Sequence, residues 1–156
     1  TVFDHGFYCS GPVNGALIQG NWWYNNSGFN AMQLNGVCLG FNYTDNVAFH
    51  SSTDRGIALD SGTGGANIHN SVLLGMGQTF YCGTIGGGNQ VSNVVASPFS
   101  ENCTSRVSFK NIFTDTPTFA NQAANDYRIP NTGSAANNVA RYLLGPYADQ
   151  VPGPQL

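Results

Sequence analysis

The sequence predicts an all-β chain that folds as a right-handed parallel β-helix, and two repeats indicate this fold class. Three successive windows, 16–40, 41–65 and 66–90, are equal in length and share one pattern of short apolar runs. An Asn also precedes an apolar burst at nearly constant intervals, of which only the last is clearly shorter. Self-similarity at such a period is typical of a solenoid in which each repeat forms one coil. The recurrent residues are Asn21, Asn46, Asn70, Asn93 and Asn111.

Each window is interpreted as a strand, an Asn bend, a second strand, a loop and a third strand, because the apolar runs are too short for helices. Stacking pairs each strand in parallel with its equivalent about 4.8 Å away and buries a continuous core. Asn tolerates the left-handed backbone of a tight bend, and amides one coil apart can form a hydrogen-bonded ladder. We expect about four to five coils in residues 1–116 and a closing segment in residues 117–156, all in one domain.

The third strand sets the predicted register, because side chains alternate between the two faces of a strand. Two columns are expected to face inward: Phe7, Met32, Ile57 and Phe80, then Cys9, Leu34, Leu59 and Cys82. The column between them is expected to be exposed: Tyr8, Gln33, Ala58 and Tyr81. A further outward column lies beside it: Ser10, Asn35, Asp60 and Gly83.

Charged residues are scarce, which bears on the partners that the chain can bind. Only 8% of the residues are charged, the formal net charge is −3, and the five basic residues are scattered along the chain. A nucleic-acid partner is therefore not expected.

No apolar run approaches the ~20 residues of a membrane span, and the segment 1–11 lacks the basic flank and apolar middle of a signal peptide. If the protein is exported, we expect that a signal has already been removed.

The cysteines favour disulfides over a metal or redox site, because none of the four lies in a C-x-x-C spacing. Cys9 and Cys38 are separated by about one coil, and so are Cys82 and Cys103. We favour the pairs Cys9–Cys38 and Cys82–Cys103 in an oxidising compartment, with free buried thiols as the alternative. No cofactor and no metal are expected.

Three N-x-S/T triplets, at Asn25, Asn42 and Asn102, are candidate glycosylation sites if the source is eukaryotic. Chance occurrence in an Asn-rich chain is the alternative. The histidines, His5, His50 and His69, show no metal spacing, and His69 is expected to be a surface residue beside a bend.

Two segments resemble a known family. "DHGFYCSG" with "ALIQGNWWYNNSGFNAMQLNG" is similar to the H-G-I-Y and I-x-G-N-x-x-Y-x-N-x-x-x-G-I-x-L patterns of right-handed parallel β-helix repeat proteins of the pectate-lyase-like superfamily. The tail 111–150 resembles their closing segment, although "GSAANN" lacks the usual proline. The resemblance implies the architecture and a carbohydrate-rich, extracellular or cell-surface setting. It does not imply one activity, because the superfamily includes lyases, hydrolases, epimerases, phage tailspikes, adhesins and structural proteins.

The resemblance also implies that a substrate groove would cross the outward face of the third strand. The candidates on that face are Tyr8, Gln33, Asn35, Asp60 and Tyr81, with Asp4, His5, Asp54 and Arg55 at its margin. Aromatic faces pack on the C–H surfaces of sugars and amides satisfy their hydroxyls, so this composition suits carbohydrate. A merely solvated sheet face is the alternative.

Catalysis has weaker support on the same face. A lyase needs a base and cations, and Arg55, which shares the parity of Ile57, is expected in the turn before the strand. Hydrolysis needs two carboxyl groups, and Asp4 and Asp54 would lie two coils apart, roughly 9.6 Å, near the limit for inversion. Asp60 is a further candidate. Aspartate at a bend is more often a turn residue.

The leading hypothesis is a non-catalytic extracellular module that is structural or associated with carbohydrate. The first residues enter a coil with no visible cap, so either upstream residues are missing or another copy stacks there, which would build a filament. The alternative is a fragment of a polysaccharide lyase, hydrolase or epimerase, or of a phage-type depolymerase. Ice binding is disfavoured, because no Thr-x-Thr column occurs.

Overall fold

The predicted fold class is confirmed. The computed structural model describes residues 5–24, 30–49, 55–124, 126 and 128–149 and forms a parallel β-solenoid of about three turns, where four to five coils were expected. The strands are His5–Ser10 (β1), Val13–Gln19 (β2), Trp22–Tyr24 (β3), Asn30–Asn35 (β4), Cys38–Thr44 (β5), Val47–Phe49 (β6), Arg55–Leu59 (β7), Asn67–Leu74 (β8), Gln78–Cys82 (β9), Asn89–Ser97 (β10) and Val107–Phe113 (β11). The helices are the α-helix Ala135–Leu144 (α1) and the 3-10 turns Thr104–Arg106, Gln122–Ala124 and Gly145–Asp149.

The strands form two sheets in which every ladder is parallel. Sheet A has the order β1-β4-β7-β9, and sheet B has the order β11-β10-β8-β5-β2. In the first coils β3 and β6 are separate short strands, and β6 pairs with the second half of β8. Three strands per coil therefore hold for the first coils, while β8 and β10 run through the bend as single long strands.

The predicted interior register is confirmed in sheet A. Phe7 is level with Met32, Met32 with Ile57, and Ile57 with Phe80. Met32, Ile57 and Phe80 are at most 1% exposed, and Phe7 packs against the same core cluster. The second column, Cys9, Leu34, Leu59 and Cys82, is also in register and buried. The alternation of side chains thus places the main core between the two sheets.

The bend of sheet B shows a row of left-handed residues, which corrects the predicted asparagine ladder. Five residues at equivalent positions have positive φ: Gly20 (68°), Asp45 (56°), Asn70 (48°), Asn93 (54°) and Asn111 (50°). The first three are equally spaced in sequence, and the spacing then shortens until Asn93 and Asn111 are 18 residues apart. Asn21 and Asn46 follow the bend residue, one position later than predicted. Gly, Asp and Asn all tolerate the left-handed conformation, so the bend residue is not always an Asn. Asn21 and Asn46 therefore form a separate column, next to the column of bend residues.

Both asparagine columns carry amide hydrogen bonds between coils. The fully buried Asn46 accepts at Oδ1 from the Asn21 backbone N–H (2.8 Å) and from Asn21 Nδ2 (3.1 Å), and its Nδ2 donates to the Ile18 carbonyl (2.7 Å). In the other column Asn111 Nδ2 donates to Asn93 Oδ1 (3.0 Å). The amides therefore tie successive coils together at the bend, in addition to the backbone ladders.

The predicted disulfides are confirmed. Cys9 is bonded to Cys38, which links β1 to β5, and Cys82 is bonded to Cys103. Each bridge closes a loop of about one coil, 29 and 21 residues in sequence separation. Such closures restrict the conformations of the unfolded chain.

The closing segment packs against the side of sheet B rather than within the main core. Ser134 caps α1 by accepting from the Asn137 N–H (3.5 Å), and the helix ends before Gly145, whose φ is 53°. A second apolar cluster joins the helix to the sheet, with Val47, Val72, Leu74 and Val95 from the strands and Ile129, Ala140, Leu143, Leu144 and Ala148 from the closing segment. The helix therefore runs beside the asparagine bend.

Tyr43 is the least expected member of the core. It is 0% exposed and stacks on Trp23, with ring centroids 5.5 Å apart. Its hydroxyl is buried with no hydrogen-bond partner among the described residues. Burial raises the pKa of Tyr43 well above the ordinary value of 10.0.

We expect Tyr43→Phe to raise the free energy of unfolding at neutral pH by about 1 kcal/mol, because it removes a buried hydroxyl that lacks a partner. Urea unfolding would measure the difference. Because the pKa is raised in the folded state, the unfolded chain releases the Tyr43 proton first as the pH rises above 10.0, and stability is lost there. Tyr43→Phe should therefore unfold less readily above pH 10.0 than the parent chain. If Tyr43→Phe is less stable than the parent chain at neutral pH, the inference that the Tyr43 hydroxyl lacks a partner is wrong.

We expect Asn46→Ala to lower the free energy of unfolding by about 2 to 3 kcal/mol, because it removes the acceptor of the Asn21 N–H and opens a space at a buried bend. Asn14→Ala, at an exposed position of β2, is the matched control and should change stability by less than about 0.5 kcal/mol. Equal effects of the two variants in thermal unfolding would rule out a special role for the buried amide.

Candidate functional site

The outer surface of sheet A carries the residues that the sequence proposes for carbohydrate binding. Tyr8 is 45% exposed, while Gln33 and Tyr81 are half-buried on other strands of the sheet. Ala58, predicted to be exposed in this column, is 0% exposed. It lies one rung from Gln33 and one rung from Tyr81, and a methyl group flanked at about 4.8 Å by two longer side chains has little accessible surface.

Tyr8 is fixed by the neighbouring outward column. Asn35 Nδ2 donates to the Tyr8 hydroxyl (3.1 Å) across two adjacent strands. Elsewhere on β4, Gln33 Oε1 accepts from Asn30 Nδ2 (3.2 Å). The sequence therefore places Tyr8, Gln33 and Asn35 together correctly, and hydrogen bonds restrict the rotamers of all three side chains before any ligand binds.

Tyr81 is fixed by a cation. Cζ of Arg55 lies 3.4 Å from the centroid of the Tyr81 ring, which is a cation–π contact. The expectation that Arg55 precedes the strand is wrong, because it is the first residue of β7 and pairs with Asn30 and Gln78. Its long side chain reaches the ring of the next rung even though its backbone shares the parity of the inward column. One face of Tyr81 is thus covered by a guanidinium.

Asn102 extends the outward column by one rung, although it was not among the predicted carbohydrate-binding residues. Phe80 bridges Glu101, so Asn102 is level with Tyr81. Its Oδ1 accepts from the Cys82 N–H (2.9 Å) and its Nδ2 donates to the Cys82 carbonyl (3.3 Å). The side-chain amide therefore pairs with β9 as a peptide group would. The signal was present in the spacing of Cys82 and Cys103, which puts Asn102 beside Tyr81. We call the surface formed by Tyr8, Gln33, Asn35, Arg55, Tyr81 and Asn102 the sheet-A face.

Asp60 behaves as a turn residue. Its Oδ1 accepts from the Ser61 N–H (2.9 Å), and its carbonyl accepts from the N–H (3.1 Å) and the hydroxyl (2.7 Å) of Thr63. The carboxylate also occupies the space above Gly83, where an added Cβ would lie 2.0 Å from Oδ1. Any larger residue at position 83 would displace Asp60. Through these contacts the carboxylate stabilises the turn that follows β7.

The remaining catalytic candidates, Asp4 and Asp54, lie outside the part of the chain that the structure describes. His50 also lies outside it, as does the side chain of His5. His69 is half-buried, and its Nδ1 lies 3.3 Å from Thr44 Oγ1. Within the described part of the chain, no group of three or more His, Cys, Asp or Glu side chains could hold a metal ion.

The glycosylation candidates are partly engaged in the fold. Asn25 lies outside the described residues. Asn42 is in β5, where its Oδ1 accepts from Asn67 Nδ2 (3.3 Å), and Asn102 is paired with Cys82. A glycan attaches to Nδ2, so it would leave the Oδ1 contact of Asn42 in place and would substitute the nitrogen of Asn102 that donates to the Cys82 carbonyl. Glycosylation stays a prediction.

Comparison with known proteins does not identify a family for this chain. No protein-family model, no curated protein and no solved structure matches the chain. The stacked parallel sheets confirm the β-solenoid, while membership of the pectate-lyase-like superfamily stays a prediction. Among the helices of the described residues, none has the length and apolar character needed to cross a membrane.

Proposed function

We propose that this chain is an extracellular β-solenoid module that associates with carbohydrate through the sheet-A face and does not catalyse a reaction. The observation that carries the proposal is a pair of fixed tyrosine rings on one face. Asn35 holds the Tyr8 hydroxyl, and Arg55 holds the Tyr81 ring. Rings that are fixed before binding lose little conformational entropy when a ligand packs on them.

The polar groups of this face suit sugar hydroxyls. Gln33, Asn35 and Asn102 supply amides that both donate and accept, and Tyr8 supplies an exposed ring that can pack on the C–H face of a sugar. Successive rungs are spaced by about 4.8 Å, so these groups are arranged along the solenoid axis, with an interruption at the rung of Ala58. An extended polysaccharide can meet several of them at once.

The described charged groups on and beside the sheet-A face, Arg55 and Asp60, favour binding over catalysis. Arg55 lies on an aromatic ring, and the Asp60 carboxylate accepts from a turn N–H and packs over Gly83. Acid–base catalysis needs a carboxyl group or another titrating group within reach of the reacting atom and matched in pKa to its task. The contacts of Asp60 are those of a structural residue. The two disulfides, which persist in oxidising compartments, support the extracellular part of the proposal.

We expect Tyr8→Ala and Tyr81→Ala each to weaken binding to a polysaccharide by about threefold to tenfold, because each removes a ring that packs on sugar. Affinity electrophoresis against a panel of uronate-rich and neutral polysaccharides would identify a ligand and measure the effect. Tyr8→Phe, which keeps the ring and loses the Asn35 contact, should have a smaller effect.

Leu17→Ala is the matched control for this experiment, because Leu17 is 63% exposed on β2 in sheet B. It should leave the affinity unchanged. If no polysaccharide is retarded, or if Leu17→Ala weakens binding as much as Tyr8→Ala, the sheet-A face is not a carbohydrate site. Release of a product from any polysaccharide, lost in Asp54→Asn or Arg55→Ala, would favour the alternative of a fragment of a polysaccharide-active enzyme.

A second candidate property is end-to-end stacking with other copies. Among the described strands, β1 and β2 each pair with a neighbour on one side only. Neither β2 nor β3 contains a charged residue, and Val13, in the inward column of Cys38, is 41% exposed. Natural sheets usually protect such an edge with charges, so this edge is suited to pairing with another strand.

We expect the parent chain to form larger species as its concentration rises, and Val13→Lys to remain monomeric, because an inward-facing charge at the edge opposes stacking. Sedimentation velocity over a range of concentrations would show the difference. Val37→Lys, at a position 51% exposed between β4 and β5, is the control and should still associate. A parent chain that stays monomeric throughout would remove this candidate.

A further inference from the structure

A groove lies between the asparagine bend of sheet B and the closing helix, away from the sheet-A face. Its volume is about 640 Å³. Three bend residues, Asn70, Asn93 and Asn111, lie along one side. Asn138 and Tyr142, one turn apart on α1, lie on the other, and Phe113 lies beside them. We call this the ladder groove.

The asparagines present a regular row of amides to the groove. All three have left-handed backbones, with φ between 48° and 54°, and Asn111 Nδ2 donates to Asn93 Oδ1 (3.0 Å). Asn70 and Asn93 are half-buried, whereas Asn111 is exposed. Asn93 and Asn111 use part of their hydrogen-bonding capacity on each other and keep further donor and acceptor sites for another molecule.

The bend itself does not require amides. Gly20 adopts the same left-handed conformation with φ 68°, and the ring of Tyr147 packs over it. Asp45 adopts it with φ 56° and accepts from Gln19 Nε2 (2.8 Å). Among the described bends, those that line the groove are the ones that place Asn at this position. Backbone tolerance therefore allows Gly, Asp or Asn at the bend, and the three successive bends beside the groove all carry the amide.

The aromatic side chains of the groove are exposed. Tyr142 is 85% exposed and Phe113 is 37% exposed. The neighbouring helix residue Leu143 belongs to the second apolar cluster, so the helix is anchored without Tyr142. A tyrosine that contributes so little buried area to the fold is available to pack on a ligand.

Charge defines the class of ligand. The described side chains that line the ladder groove are amides, aliphatic groups and aromatic rings, and none of them is charged. Arg141, next to Tyr142 in sequence, donates instead to the Ile129 carbonyl (2.8 Å) and to Asp149 (2.6 Å). A charged ligand would lose hydration with no opposite charge to compensate it, whereas hydroxyl groups can be satisfied by amides.

We propose that the ladder groove is a second binding site, which takes a neutral linear oligosaccharide. The chain of sugars lies along the solenoid axis, its hydroxyls hydrogen-bond to the amides of successive rungs about 4.8 Å apart, and Tyr142 packs on one sugar face. This site is separate from the sheet-A face and does not depend on it.

The test is a titration of the full chain, labelled with ¹⁵N, with linear hexasaccharides of glucose, mannose and xylose, and with hexagalacturonate as the charged comparison. At least one neutral hexasaccharide is expected to shift the side-chain amide signals of Asn93, Asn111 and Asn138. Tyr142→Ala and Asn93→Gly should each weaken its affinity by about threefold to tenfold. Glycine is the appropriate substitution at position 93 because it keeps the left-handed bend, as Gly20 does.

The matched control is Leu17→Ala, which removes an exposed side chain of β2 outside the lining of the ladder groove and should leave the affinity reported by the ladder amides unchanged. The proposal is overturned if no neutral hexasaccharide shifts the ladder amides, if Tyr142→Ala and Asn93→Gly both bind as the parent does, or if hexagalacturonate shifts the ladder amides at a lower concentration than every neutral sugar. Binding that is lost in Tyr8→Ala and kept in Tyr142→Ala would support the sheet-A face and exclude the ladder groove.

Discussion

The left-handed bend in sheet B is the constraint on which the rest of the structure depends. In a parallel stack every coil must turn at the same point of its perimeter, because a slip of one residue moves every apolar side chain to the opposite face. Gly20, Asp45, Asn70, Asn93 and Asn111 meet this requirement with φ between 48° and 68°. Once the bend is fixed, the strands on both sides of it fall into register, and the interior columns of sheet A follow.

The fixed bend also explains how coils of unequal length share one core. The bends come closer together towards the end of the solenoid, where Asn93 and Asn111 are 18 residues apart, so the shortening falls on the loops and on the sheet-A side of the later coils. There Phe80, Phe99 and Phe109 contact one another with centroids 5.5 to 6.2 Å apart. Phe80 is buried, Phe109 is half-buried and Phe99 is exposed, so this aromatic cluster runs from the interior to the surface where the coil is shortest.

The features that could be predicted from sequence are those that depend on period alone. Alternation along the third strand placed Met32 and Ile57 inside, and a spacing of one coil paired the cysteines. The exact bend residue could not be predicted in this way, because Asn46 directly follows Asp45 and either residue tolerates the left-handed conformation. The predicted step from Asn46 to Asn70 is therefore one residue shorter than the structural step from Asp45 to Asn70.

The sheet-A face was predicted in part and the ladder groove was not predicted at all. Tyr8 and Asn35 follow from register, but the reach of Arg55 to Tyr81 depends on side-chain length and conformation, which parity ignores. The apolar spacing of the closing segment is compatible with a helix but does not say which strands it covers. The groove exists only because α1 lies beside Asn70, Asn93 and Asn111.

The arrangement of the two disulfides has a mechanical consequence. The loops closed by Cys9–Cys38 and Cys82–Cys103 are sequential and not nested, and no other cysteine is present. The chain between Cys38 and Cys82 is therefore spanned by neither bridge. If the two ends of the molecule were pulled apart, the force would bypass both covalent loops and fall on the central coils and on the terminal segments outside the bridges, while the two cross-linked loops would stay closed and limit the total extension.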